Sequence, residues 1–158
     1  MDRDQLFKKW IFEFKPLLFK IINVYSNTYF DREDLFQEIS IQIWNSIPNF
    51  KGNSSAHTWI YRIALNTAIK WKSRNKNTID STHIQVGILQ ENVEPSTQLS
   101  WLYNEISKLD KIEKSITLLM LDGFSYKEIA GMTGLSVTHV GVKINRIKSY
   151  LKDRSKLL

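Results

Sequence analysis

SYKEIAGMTGLSVTHVGVKINRI, residues 125–147, meets three separate requirements of one supersecondary motif. Two closely crossing helices need a small residue at the crossing, a turn residue that accepts positive φ, and an apolar residue that locks the second helix. Ala130, Gly134 and Val140 supply these at offsets of four and six. Ile129, Leu135 and Ile144 add a small core, and Ser136 is the expected N-cap of the second helix. The reading is a helix-turn-helix over residues 126–145, whose second helix presents Val137, Thr138 and His139 first to a DNA major groove. Thr138, His139, Lys143 and Arg146 are the candidates for reading bases, the N-cap Ser136 is a further DNA-binding candidate, and Lys148, Lys152 and Arg154 are expected on phosphates. A surface hairpin carrying solvated lysines is the plainer alternative.

Charge is distributed in blocks around this motif. The whole chain of 158 residues carries 22 Lys and Arg against 16 Asp and Glu, a net charge of +6. Residues 136–158 hold six bases and one acid, and residues 39–79 hold six bases and no acid. Between them, residues 80–135 carry eight acids against four bases. Two basic surfaces flanking an acidic middle favour a polyanionic partner.

Upstream, apolar residues recur at helical spacing and no strand-like alternation occurs, so the expected fold class is all-α. Trp10, Phe14, Leu17, Leu18, Ile21 and Tyr25 form the first stretch, which Pro16 should kink or split. Asp31 is the expected N-cap of a second helix that runs through Leu35, Ile39, Ile43 and Ile47 and stops at Pro48. A third helix is predicted from Ser54 or Ser55 to about Arg74, burying Ala56, Ile60, Ile63, Ala64 and Thr67. From residue 76 to 97 the periodicity gives way to Asn, Thr, Ser, Gln, Gly and Pro95, the composition of a linker. Helical patterning returns with Leu99, Leu102, Ile106 and Leu109, then Ile116, Leu119 and Met120. Two small helical domains follow, over residues 1–75 and 98–158.

The acid-free block, PNFKGNSSAHTWIYRIALNTAIKWKSRNKN over residues 48–77, contains the second pattern of interest. Thr58, Arg62, Asn66, Lys70 and Arg74 recur every four residues and form one polar, basic helix face. Trp59, Tyr61 and Trp71 lie among them, a combination suited to a nucleic-acid backbone and stacked bases. Periodicity equally permits the tryptophans to be core and the bases a solvated face. On the preceding helix, Asp34, Gln37, Glu38, Ile41 and Trp44 lie opposite the apolar stripe, which suggests a docking surface. Packing against the first helix is the alternative for that face.

Several function classes are disfavoured. The chain has no cysteine, which excludes disulfides and thiolate metal sites and suits a reducing compartment. No stretch of 18 apolar residues or signal-type leader is present, so a cytoplasmic protein without membrane insertion is expected. His57, His83 and His139 show no ligand spacing, and neither a metal nor another cofactor is expected. The carboxylates form no acid/base cluster, and no catalytic residue is assigned.

Taken together, DREDLFQEISIQIWNSIPNFKGNSSAHTWIYRIALNTAIKWKSRNK and, after an interval, SYKEIAGMTGLSVTHVGVKINRIKSYL closely resemble bacterial sigma factors of the extracytoplasmic-function type. The resemblance implies a sigma region 2 domain, a linker in place of region 3, and a region 4 domain. It further implies that Asp34, Leu35, Gln37, Glu38, Ile41 and Trp44 grip the clamp coiled coil of the largest subunit of RNA polymerase. The loop over residues 50–55 and the helix bearing Trp59, Tyr61, Arg62, Asn66, Lys70 and Arg74 correspond to the part that recognises and opens the minus-10 element. Asn53 and Ser54 are the candidates for holding an extruded base, whose unstacking costs a few kcal/mol. The helix-turn-helix corresponds to the minus-35 reader, whose domain also docks on the flap of the second-largest subunit. Core RNA polymerase, promoter DNA and an anti-sigma factor are the implied partners. A stand-alone helix-turn-helix regulator is the alternative.

Two departures from the family pattern stand out. Gly141 and Val142 follow the locking valine where many relatives begin with Lys, and a glycine within a helix costs about 1 kcal/mol relative to alanine. Further along, Arg146, Ile147 and Lys148 replace the usual Arg-Ala-Arg. Some 20 linker residues would reach about 70 Å fully extended but span about 25 Å as a random coil, so reading two separated elements requires a stretched linker.

Overall fold

Phe14 divides the first helical stretch as the proline requires. In the computed structural model, which describes residues 1–75 and 97–157, α1 (Arg3–Glu13) ends there and α2 (Lys15–Tyr25) begins with Pro16 in its first turn. Proline is tolerated in that turn because its missing N–H has no intrahelical acceptor to lose. Asp2 and Gln5 close the start of α1 with a reciprocal capping box.

The second predicted helix begins earlier than expected. In α3 (Tyr29–Ser46) the N-cap is Thr28, whose hydroxyl accepts from Asp31 N–H at 3.1 Å. Asp31 therefore sits in the first turn, where its charge favours the positive end of the helix dipole. Ser46 closes the helix, and a single 3-10 turn, Ile47–Asn49, carries Pro48. In α4 (Ala56–Arg74) Ser55 is the N-cap and accepts from Thr58 N–H at 3.1 Å.

The described helices fall into two compact units, one within Met1–Glu94 and the other within Pro95–Leu158. In the first, α4 packs on α2 and α3. Leu18, Ile21, Ile22, Tyr25, Leu35, Ile39, Ile43, Ile60, Tyr61, Ala64 and Trp71 form its buried core. Ala56 and Ile63, expected in that core, are only half-buried; Leu65, Ala68 and Trp71 occupy the stripe instead.

The second unit contains α5 (Thr97–Ser107), α6 (Lys111–Leu121), α7 (Tyr126–Thr133) and α8 (Val137–Ser155). Ile106, Ile116, Leu118, Leu119, Ile129, Val140, Ile144 and Ile147 are its core, while Leu99 is exposed and Leu102, Leu109 and Met120 are half-buried. Buried Glu105 ties α5 to the far end of α8, accepting from Tyr150 Oη at 2.9 Å and Arg154 Nε at 3.2 Å. Lys108 Nζ adds a third contact at 2.9 Å. The expected linker over residues 76–97 lies outside the described residues except for Thr97, which opens α5. No described helix is long and apolar enough to cross a membrane.

Candidate nucleic-acid and polymerase-docking surfaces

The helix-turn-helix forms as its residues dictate. Ser125 and Glu128 make a capping box at the start of α7, and Gly134 ends it in the left-handed region at φ 79°. Its N–H returns to Ala130 C=O at 2.9 Å, closing the turn. Ser136 Oγ then accepts from His139 N–H at 3.1 Å and starts α8. Ala130, Ile129, Val140 and Ile144 are buried between the helices. Ser136, Thr138, His139, Arg146 and Lys148 are exposed on α8, and Lys143 is half-buried. Gly141 faces Tyr126, whose ring lies 3.6 Å from where a Cβ would stand.

In the first unit, α4 carries Arg62, Asn66, Lys70 and Arg74 along one exposed row. The preceding loop turns at Gly52, with φ 75°, and leaves Asn53 and Ser54 exposed. Phe50 anchors the start of that loop, its ring 5.1 Å from Trp10 and 5.5 Å from Trp59. Trp59 is half-buried, and its indole N–H donates to Ser46 Oγ at 3.3 Å.

The expected stacking role of two aromatics does not survive this arrangement. Tyr61 is 0% exposed and Trp71 is 1% exposed. Both belong to the face of α4 turned into the core, where a base has no access. Tyr61 packs edge-on to His57, with ring centroids 5.8 Å apart. Trp71 donates its indole N–H to Asp34 Oδ2 at 2.7 Å.

On α3, Asp34, Gln37 and Ile41 are exposed, and Glu38 is half-buried in an ion pair with Arg74. Leu35 is fully buried and is corrected to a core residue. Trp44 meets α1: Arg3 donates to its carbonyl from Nε at 3.1 Å and Nη2 at 2.7 Å. The Arg3 guanidinium also lies 4.2 Å from the Trp44 ring centroid, and Phe7 packs edge-on at 5.4 Å. Trp44 thus packs on the first helix, while Asp34, Gln37 and Ile41 remain exposed.

Sequence reasoning missed the contribution of α1 to this surface. Phe7 and Ile11 join Phe36, Gln37, Ser40 and Ile41 around an open apolar groove of about 400 Å³. On the other flank of α3, Glu38, Gln42 and Asn45 face Asn66, Lys70 and Arg74 across a polar groove of about 590 Å³. Thus α3 separates an apolar groove from a charged one. Phe7 and Ile11, four apart in α1 and half-buried, were the available signal, but their partner helix was not.

Two family models match separate parts of the chain. A family model described as "Sigma-70 region 2" matches residues 11–78, and one described as "Sigma-70, region 4" matches residues 99–151. The chain belongs to the sigma-70 family, in its extracytoplasmic-function branch. Relatives also match across most of the chain. The ECF RNA polymerase sigma-E factor of Haemophilus influenzae is 29% identical over 78% of this chain and 74% of that protein. The protein of the same name from Escherichia coli K12 is 29% identical over 78% of this chain and 73% of its own length. Among solved structures, the sigma factor RpoE bound to the anti-sigma factor NepR from Bartonella quintana has a TM-score of 0.71 at 20% identity. That comparison covers 95% of this chain and 96% of RpoE. CnrH in complex with the cytosolic domain of CnrY has a TM-score of 0.67 at 18% identity, covering 98% and 90% of the two chains.

Proposed function

We propose that this chain captures core RNA polymerase through α3 and directs it to promoters by reading DNA with α4 and α8. The observation that carries the reading is the pairing, in one chain, of an exposed acidic and apolar face on α3 with two basic helix faces preceded by capped turns. Asp34, Gln37, Glu38 and Ile41 supply the polymerase contact, with Trp44 and Leu35 holding α3 in place. Arg62, Asn66, Lys70 and Arg74 track the phosphates of the minus-10 element. Trp59, Asn53 and Ser54 flank the position of an extruded base. Ser136, Thr138, His139, Lys143, Arg146 and Lys148 serve the minus-35 element.

Three terms divide the work. The apolar groove beside Ile41 supplies non-directional burial against the polymerase. The cationic rows supply salt-dependent affinity that is indifferent to sequence. Base contacts at the loop and on α8 supply selection. The chain contributes no bond-making step in this reading; RNA synthesis belongs to the polymerase. On this reading the protein works in the cytoplasm beside the transcription machinery.

An anti-sigma factor is the third proposed partner. Its support is that both structural neighbours named above were solved with a regulatory chain bound, NepR in one case and the CnrY cytosolic domain in the other.

Native gel shift with core polymerase tests the reading. Chain plus core should form a promoter complex, while the chain alone should bind specific and scrambled DNA equally weakly. Tight, sequence-specific binding by the chain alone would favour a stand-alone helix-turn-helix regulator and overturn the assignment.

A further inference from the structure

On α8, Val140, Ile144 and Ile147 are buried against the rest of the unit. At about 100° per residue, the direction opposite this stripe is shared by Thr138, Val142, Asn145 and Arg146. All four are exposed. Val142 stands at the centre of that row and is 44% exposed. At its neighbour Gly141 a Cβ would stand 3.6 Å from the Tyr126 ring of α7, so Val142 is turned about 100° further round the axis from that side. A branched apolar side chain therefore occupies the middle of an otherwise polar face on the helix proposed to enter the major groove.

The edges exposed in that groove are hydrogen-bond donors and acceptors, with one apolar exception, the C5-methyl group of thymine. We propose that Val142 reads a thymine methyl in the minus-35 element. Asn145, one turn along the same row, has the amide geometry to accept from N6 and donate to N7 of a neighbouring adenine. The inference rests on the reading of α8 as the minus-35 helix and adds a specificity-determining residue outside its cationic set. It also accounts for the missing lysine beside the locking valine: selection at this turn of α8 comes from shape and a methyl contact rather than charge.

Single thymine-to-deoxyuridine replacements on either strand remove one methyl while preserving base pairing. They are made through the minus-35 element of a promoter used by core polymerase plus the full chain, and read by run-off transcription. Loss of one methyl contact should lower initiation about fourfold at one position, the equivalent of ~0.8 kcal/mol. Val142→Ala should lower initiation to a similar degree on the unmodified template and make that same replacement neutral. The exposed site and alanine's helix propensity leave the fold intact. If no methyl matters, or if Val142→Ala keeps the full methyl dependence, the proposal fails while α8 remains the minus-35 reader. If scrambling the entire minus-35 element leaves initiation unchanged, the reading of α8 fails and this proposal fails with it.

Discussion

Trp71, buried in α4, donates its indole N–H to Asp34 Oδ2 on α3 at 2.7 Å. The bond joins the helix assigned to DNA to the helix assigned to polymerase, so Asp34 supports the fold as well as presenting a carboxylate. Asp34→Ala leaves a buried donor unsatisfied and should destabilise the first unit by about 1–3 kcal/mol in urea denaturation. Loss of polymerase binding in that variant would therefore mix two effects.

Glu38 gives the cleaner probe. Its ion pair with Arg74 involves an Arg side chain 61% exposed, and exposed pairs contribute about 0–1 kcal/mol. Glu38→Gln should leave the urea midpoint nearly unchanged yet weaken co-purification with core polymerase. Unchanged capture would remove Glu38 from the docking surface. Trp44→Ala, by contrast, should also loosen α1 through loss of the Arg3 and Phe7 contacts.

Much of this was legible wherever the controlling interaction is local. Gly134, Ser136 and Ser55 act within four residues of where they sit, and each performs the expected cap or turn. Thr28 was missed because Asp31 is an equally good cap by residue type, and only the chain's direction before the helix separates them. Trp71 shares a stripe with Ala64 and Ala68, so periodicity left the core open to it, but the neighbouring lysines allowed a stacking role equally well. The Arg3–Trp44 and Glu105–Arg154 contacts span 41 and 49 residues, and no local period encodes such pairings.

Acid should loosen the second unit through Glu105. Burial alone would raise its pKa, but hydrogen bonds from Lys108, Tyr150 and Arg154 outweigh burial and hold it below the usual carboxylate value. A lowered folded pKa gives stability that is complete above the unfolded value, about 4.3, and lost as pH falls through the folded one. Thermal melts of the full chain should show this loss in the acid limb. Glu105→Gln should flatten that limb and cost about 1–3 kcal/mol at neutral pH; an unchanged acid limb would exclude Glu105 as its source.

Gly141 and Gly134 should respond in opposite directions to alanine. A Cβ at Gly141 meets Tyr126 at ordinary contact distance, 3.6 Å. Gly141→Ala should therefore stabilise α8 by about 0.5–1 kcal/mol. Gly134 lies at φ 79°, where an L side chain is strained, and Gly134→Ala should cost about 1–2 kcal/mol. Urea midpoints of the two variants check the pair.

Reversing charge along α4 separates DNA reading from docking. Lys70→Glu combined with Arg62→Glu should leave polymerase capture intact and reduce promoter opening at least tenfold, measured by permanganate reactivity of unpaired thymines. Equal opening would mean that this face does not touch the minus-10 strand.

Run-off transcription with purified components tests the central claim most directly. Core polymerase plus this chain should produce one RNA of defined length from a cognate promoter, and neither component alone should do so. The transcript should vanish when either DNA element is scrambled. Defined transcripts from core polymerase without the chain, or none with it on any selected promoter, would contradict the account.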